Sequence, residues 1–122
     1  MLTRLLLSAL CTALVACSAP APSDSPPAEA DLTIKLADFM IDPSDVEAEG
    51  PTVTIEVTSD GPTPHNLTVR DADGTVLMAT EDLSAGDTET ISASLDPGTY
   101  VIFCSLAGHE SLGMSGTLVV SP

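Results

Sequence analysis

The sequence predicts an all-β fold, a β-sandwich of seven or eight short strands, on three observations. From Asp31 onward, apolar residues alternate with polar ones in one segment after another, the period of two that marks a half-buried strand. Turn signals built on Gly and Pro fall between these segments at short intervals. No stretch of the domain carries a sustained apolar pattern at helical spacing.

The strands follow in order. Leu32, Ile34 and Leu36 alternate with Thr33, Lys35 and Ala37, which predicts the first. Leu36 to Glu49 is irregular and leaves room for a helical turn. Val53, Ile55 and Val57 against Thr52, Thr54, Glu56 and Thr58 predict a second strand, and Leu67 and Val69 against Asn66, Thr68 and Arg70 a third. The turn signal Asp71-Ala72-Asp73-Gly74 leads into Thr75 to Ala79 and predicts a hairpin. Met78 to Ala85 is irregular again, with space for a helical turn, before Ile91, Ala93 and Leu95 resume the alternation. Asp96-Pro97-Gly98 predicts a turn in which Pro presets one φ and Gly supplies a positive one. Tyr100 to Cys104 is apolar on both faces, as a central strand requires, and Gly116 to Val120 closes the chain.

The sandwich does not begin at residue 1. Met1 to Arg4 carries a positive charge and Leu5 to Ala16 is mostly apolar, too short to span a bilayer and laid out as a secretory signal. It ends Leu14-Val15-Ala16-Cys17, which resembles the bacterial lipoprotein signal, in which the Cys becomes the lipidated first residue. Residues 1–16 are therefore expected to be a signal peptide, and the product to be exported and lipid-anchored to the cell envelope, on the periplasmic or extracellular face of its membrane. Ser18 to Ala30 is rich in Ala, Pro and Ser and has no apolar period, so 17–30 reads as the lipidated Cys17 and a semi-extended tether. Residues 31–122 form the folded domain, large enough to bury one core without a disulfide or a structural metal.

Charge and cysteine narrow the function. The formal net charge is −15 at pH 7, and all 18 acidic residues lie beyond Cys17, where Lys35 and Arg70 are the only strong bases. Phosphate recognition needs the opposite sign, so nucleic acid is not an expected partner, whereas a basic protein surface is. Solubility or adaptation to salt explains the same acidity equally well. With Cys11 in the signal and Cys17 lipidated, Cys104 is the only thiol of the domain and has no partner for a disulfide. An unpaired Cys in an exported domain needs another purpose.

Metal ligation supplies one. Cys104, His109 and Met114 are spaced across a loop between the last two strands, and His65 shares strand parity with Leu67 and Val69, which points it inward. Met114 shares parity with Leu118 and Val120 in the same way. Two imidazoles, a thiolate and a thioether make a soft mixed set that suits copper better than zinc or magnesium. Taken singly, His65 fits a hydrogen-bonded core histidine, Met114 fits packing and Cys104 fits a small buried hydrophobe. Their convergence at one end of a sandwich reverses that reading, because the domain holds only these two His and this one Cys.

The run Phe-Cys-Ser-Leu-Ala-Gly-His-Glu-Ser-Leu-Gly-Met-Ser-Gly-Thr-Leu from Phe103, with four residues between Cys104 and His109 and four between His109 and Met114, resembles the copper-binding end of the cupredoxins. His65-Asn66 ahead of a strand resembles their first ligand. The likeness is strongest to the auracyanin and azurin-like members and covers residues 31–122. It implies a Greek-key sandwich and one type 1 copper held by His65, Cys104 and His109, with Met114 as a weak axial ligand. It further implies that Asn66 braces the loop near Ser105, that a backbone carbonyl at Pro64, just before His65, approaches the copper weakly, and that electrons pass through an apolar patch near His109. Leu106, Ala107, Leu112 and Pro62 are the candidates for that patch.

The implied function is a membrane-anchored blue copper protein, a single copy passing single electrons between redox proteins such as a cytochrome or a membrane complex. No small-molecule substrate is expected. A thiol enzyme would need a third group to orient His109, and multicopper catalysis would need more His than two. Sequestration or delivery of copper is the alternative. Such sites tend to be Met- or His-rich and exposed, whereas Met40 and Met78 are expected in the core.

Overall fold

The computed structural model describes residues 29–122. The expected signal peptide, the expected lipidation site Cys17 and all but the last two residues of the expected tether lie outside them.

Nine strands follow in order: β1 (Leu32–Ala37), β2 (Met40–Asp42), β3 (Asp45–Glu49), β4 (Thr52–Gly61), β5 (Thr68–Arg70), β6 (Val76–Ala79), β7 (Thr88–Ser94), β8 (Gly98–Phe103) and β9 (Ser115–Ser121). One sheet has the order β2-β1-β4-β7 and the other β3-β9-β8-β5-β6. The chain changes sheet between β2 and β3, β3 and β4, β4 and β5, β6 and β7, and β7 and β8, giving a Greek-key sandwich. β1 runs parallel to β4 and β3 parallel to β9, while the remaining pairs are antiparallel.

Alternation decides what is inside. Ile34, Leu36, Ile55 and Val57 from one sheet meet Ile102 and Leu118 from the other, all at 0% exposure. Each such side chain stabilises the fold by about 1.5–3 kcal/mol relative to its exposed state. The β5–β6 hairpin turns at Asp71, whose Oδ1 accepts the backbone N–H groups of Asp73 (2.9 Å) and Thr75 (2.8 Å), with Gly74 at φ 88.

Several expectations change. Leu36 to Glu49 contains no helical turn but two short strands, in which Ile41, Val46 and Ala48 face inward between exposed neighbours. Met78 to Ala85 is the end of β6 followed by an irregular return. Met40 is not in the core: it is 52% exposed, because on the edge strand β2 its neighbour Ile41 takes the inward face. Met78 is buried. Gly98 does not have a positive φ and instead opens β8 in extended form. Around β5 the simple alternation fails, since Asn66 to Val69 are all buried. Asn66 and Thr68 can be buried because their polar groups are hydrogen-bonded.

One close approach joins the sheets' edges. The Ser44 carbonyl between β2 and β3 accepts the Thr117 N–H at 2.8 Å. A Cβ on the adjacent Gly116 would collide with that same carbonyl.

Candidate metal centre

The strand registers bring four connections to one end of the sandwich. β1 and β4 finish there side by side, Ala37 opposite Gly61. β8 also ends there, its Phe103 opposite both Thr68 at the start of β5 and Ser115 at the start of β9. The β1–β2 turn, the segment from Pro62 to Leu67, the return after β6 and the loop from Cys104 to Met114 therefore meet.

His65 is fixed from the side by Leu83, with two backbone hydrogen bonds between them: His65 N–H to Leu83 O at 3.0 Å and Leu83 N–H to His65 O at 2.7 Å. The imidazole is 0% exposed. The loop carrying the other donors is closed at its neck, where the Cys104 N–H donates to Met114 O at 3.1 Å and the Met114 N–H to His109 O at 3.1 Å. Inside, His109 N–H donates to Leu106 O at 3.0 Å. A 3₁₀ turn over Glu110–Leu112 then stops at Gly113, which takes φ 117. Arg70 holds this turn from β5: its Nη1 donates to Glu110 Oε2 at 3.1 Å, its Nη2 pairs with Oε1, and its guanidinium lies 4.0 Å over the Phe103 ring.

Within this frame His65, Cys104 and His109 present one nitrogen or sulfur each, all within 4.8 Å of one another. His109 Nδ1 lies 3.2 Å from His65 Nδ1 and 3.5 Å from Cys104 Sγ. Donor atoms about 2.0–2.3 Å from one shared ion stand roughly 3–4 Å apart, so these three fit around a single metal. Cys104 and Met114 are fully buried, and His109 is partly exposed.

The surrounding bonds aim the donors. His65 Nε2 lies 3.1 Å from Asp38 Oδ1. The Thr63 hydroxyl, donating to that carboxylate at 2.7 Å, holds Asp38 below its ordinary range and outweighs the opposing effect of desolvation. An ionised carboxylate only accepts, so Nε2 is the donor toward Asp38, and Nδ1 is the ring nitrogen that faces His109. The Asn66 N–H points at Cys104 Sγ at 3.5 Å. The Asn66 side chain binds the neighbouring Ser105 twice, accepting its backbone N–H at 2.8 Å and bonding its hydroxyl, and donates to Asp82 at 2.9 Å. Pro64 is exposed beside His65.

Two exposed apolar side chains lie beside His109. Leu112 (61% exposed) and Phe39 (46% exposed) stand here, and the Phe39 ring meets the His109 imidazole edge to face at 5.7 Å and 71°. Pro62 and Ala107 are exposed and Leu106 is half-buried. Sequence reasoning missed Asp38, Phe39, Leu83, Asp82 and the Arg70–Glu110 pair. For Asp38 and Phe39 the one available signal is their position, immediately after the alternation of β1 breaks off.

A family model described as a cupredoxin-like domain matches residues 6–120. Among curated proteins none matches. Solved structures do: a dithionite-reduced auracyanin from Roseiflexus castenholzii is 23% identical with TM-score 0.66, over 75% of this chain and 96% of that one. Azurin Az-iso2 from Methylomonas sp. strain J is 18% identical with TM-score 0.64, over 78% of this chain and 100% of that one. Auracyanin A from Chloroflexus aurantiacus, described as a "blue" copper protein, is 19% identical with TM-score 0.60, over 73% and 98%. At these identities the likeness establishes the fold.

Proposed function

The chain belongs to the cupredoxin-like family, and from that premise we propose that it carries single electrons between redox proteins, anchored to the cell envelope through a lipid on Cys17. The observation that carries the reading is the convergence of His65, Cys104 and His109 within 4.8 Å at the loop end of the sandwich. The cofactor is one type 1 copper ion, which supplies a one-electron Cu(I)/Cu(II) couple when bound.

The chain's own residues do the rest. His65, Cys104 and His109 would hold the metal, and the buried Met114, tied through its backbone to Cys104 and His109, would add a weak thioether donor. Asn66, Ser105 and Asp82 brace the thiolate side by hydrogen bonds. Such bracing would limit how far the donors move when a bound copper changes charge. His109, the partly exposed ligand, sits among Phe39 and Leu112 and offers the contact through which a partner exchanges electrons. A net charge of −15 favours partners with a basic contact surface. The charged start, the apolar run and Leu14-Val15-Ala16-Cys17 support export and lipid attachment, and fatty-acid labelling that persists in Cys17→Ser would refute the anchor.

The decisive experiment is the visible and EPR spectrum of the protein loaded with one equivalent of Cu(II). An intense thiolate-to-copper band with narrow copper hyperfine splitting, both lost in Cys104→Ala, is the expected result. An ordinary weak Cu(II) spectrum would sink electron transfer and leave copper sequestration or delivery in its place.

A further inference from the structure

The turn between β1 and β2 is two residues long, and each of its side chains meets one of the two imidazoles. Asp38 Oδ1 lies 3.1 Å from His65 Nε2, and the Phe39 ring stands edge-on to His109. Phe39 takes φ 59, the one positive φ at a non-Gly residue among the described residues. A bulky residue stays in that region only where its surroundings hold it. The Asp38 carboxylate is itself fixed: its Oδ1 also accepts the Thr63 hydroxyl at 2.7 Å and the Thr63 N–H at 3.2 Å. The segment that carries His65 thus holds one oxygen of the carboxylate by three contacts, two from Thr63 and one from His65. At 33% exposure the Asp38 side chain is partly withdrawn from water, which weakens the screening of its charge without removing it.

We propose that Asp38 is a positioning residue for the metal ligand His65 and that its negative charge lowers the reduction potential of the site. The inference rests on the copper reading above. Two effects of the same carboxylate act together. As acceptor of the Nε2 proton it selects the tautomer whose Nδ1 lone pair faces Cys104 and His109. As an anion one imidazole away from the metal it favours the more highly charged oxidation state, Cu(II), over Cu(I). A carboxylate that merely capped the turn would do neither.

Asp38→Asn separates the effects, because its amide oxygen still accepts from Nε2 and Thr63 while the charge is gone. Asp38→Ala removes both. The measurement is redox titration of copper-loaded wild type and variants with their absorption and EPR spectra, alongside ¹⁵N chemical shifts of the His65 ring in the metal-free proteins. In Asp38→Asn the thiolate-to-copper band remains and the potential rises. The expected change is about tenfold in the Cu(I)-to-Cu(II) affinity ratio, at the low end of outer-partner effects, which for one electron is about 59 mV. In Asp38→Ala the potential also rises, the hyperfine pattern changes, and the metal-free His65 ring loses its preference for the Nε2-protonated form shown by wild type. Unchanged or lower potentials with an intact band overturn the inference alone. A wild-type protein without that band overturns the copper reading beneath it.

Discussion

Asn66 illustrates how much a single side chain holds at this end of the molecule. Its backbone N–H faces Cys104 Sγ, and its amide joins Ser105 and Asp82, which belong to two different connections. Asn66→Ala leaves the Ser105 N–H without its acceptor in a part-buried place. That is expected to cost about 1–3 kcal/mol, read as a lower urea midpoint with an unchanged slope. Copper-loaded Asn66→Ala is also expected to show a shifted thiolate band, since the loop loses its brace beside the sulfur. The candidate donors were legible because they are scarce: the folded domain has two His and one Cys, and strand parity with the likeness to the cupredoxin copper end singled them out. Asp38 was not legible. It is one of 18 acidic residues, and its contact with His65 spans 27 positions, so only the register of β1 against β4 brings it there.

Among the elements, the long strands and the β5–β6 hairpin declared themselves, and the short strands β2 and β3 did not. β4 carries Val53, Ile55 and Val57 in unbroken alternation, enough to outweigh any competing period. β2 has three residues and a single inward side chain, Ile41, which is too little to reveal a period of two. β3 does alternate, with Val46 and Ala48 buried, but its acidic outward face, Asp45, Glu47 and Glu49, reads equally as a solvated turn of helix. Both edge strands depend on the junction at Ser44. Gly116→Ala places a methyl group against the Ser44 carbonyl and must push the β2–β3 connection off β9. The expected loss is about 1–3 kcal/mol. For a domain of this size that corresponds to a melting temperature lower by roughly 5–20 °C, measurable by calorimetry. A melting temperature equal to wild type would show that this connection yields freely.

For the molecule as a whole the dominant property is charge. Arg70 is committed to Glu110 and Phe103, which leaves Lys35 as the other strong base among the described residues. Association with a basic redox partner is therefore expected to slow by about tenfold or more as ionic strength rises from low to physiological. Stopped-flow kinetics across a salt series checks this, and a rate indifferent to salt would assign the acidity to solubility instead. The burial of the centre is uneven: His65, Cys104 and Met114 have no exposed surface, and His109 alone reaches solvent. That asymmetry makes one imidazole the doorway for matter as well as for electrons. A thiol with no exposed surface is out of reach of soluble disulfides and oxidants while the fold is closed, so the metal-free protein keeps its sulfur intact while it waits for copper. The same closure means that an arriving copper ion is expected to meet His109 first, and filling of the site to be slower than collision.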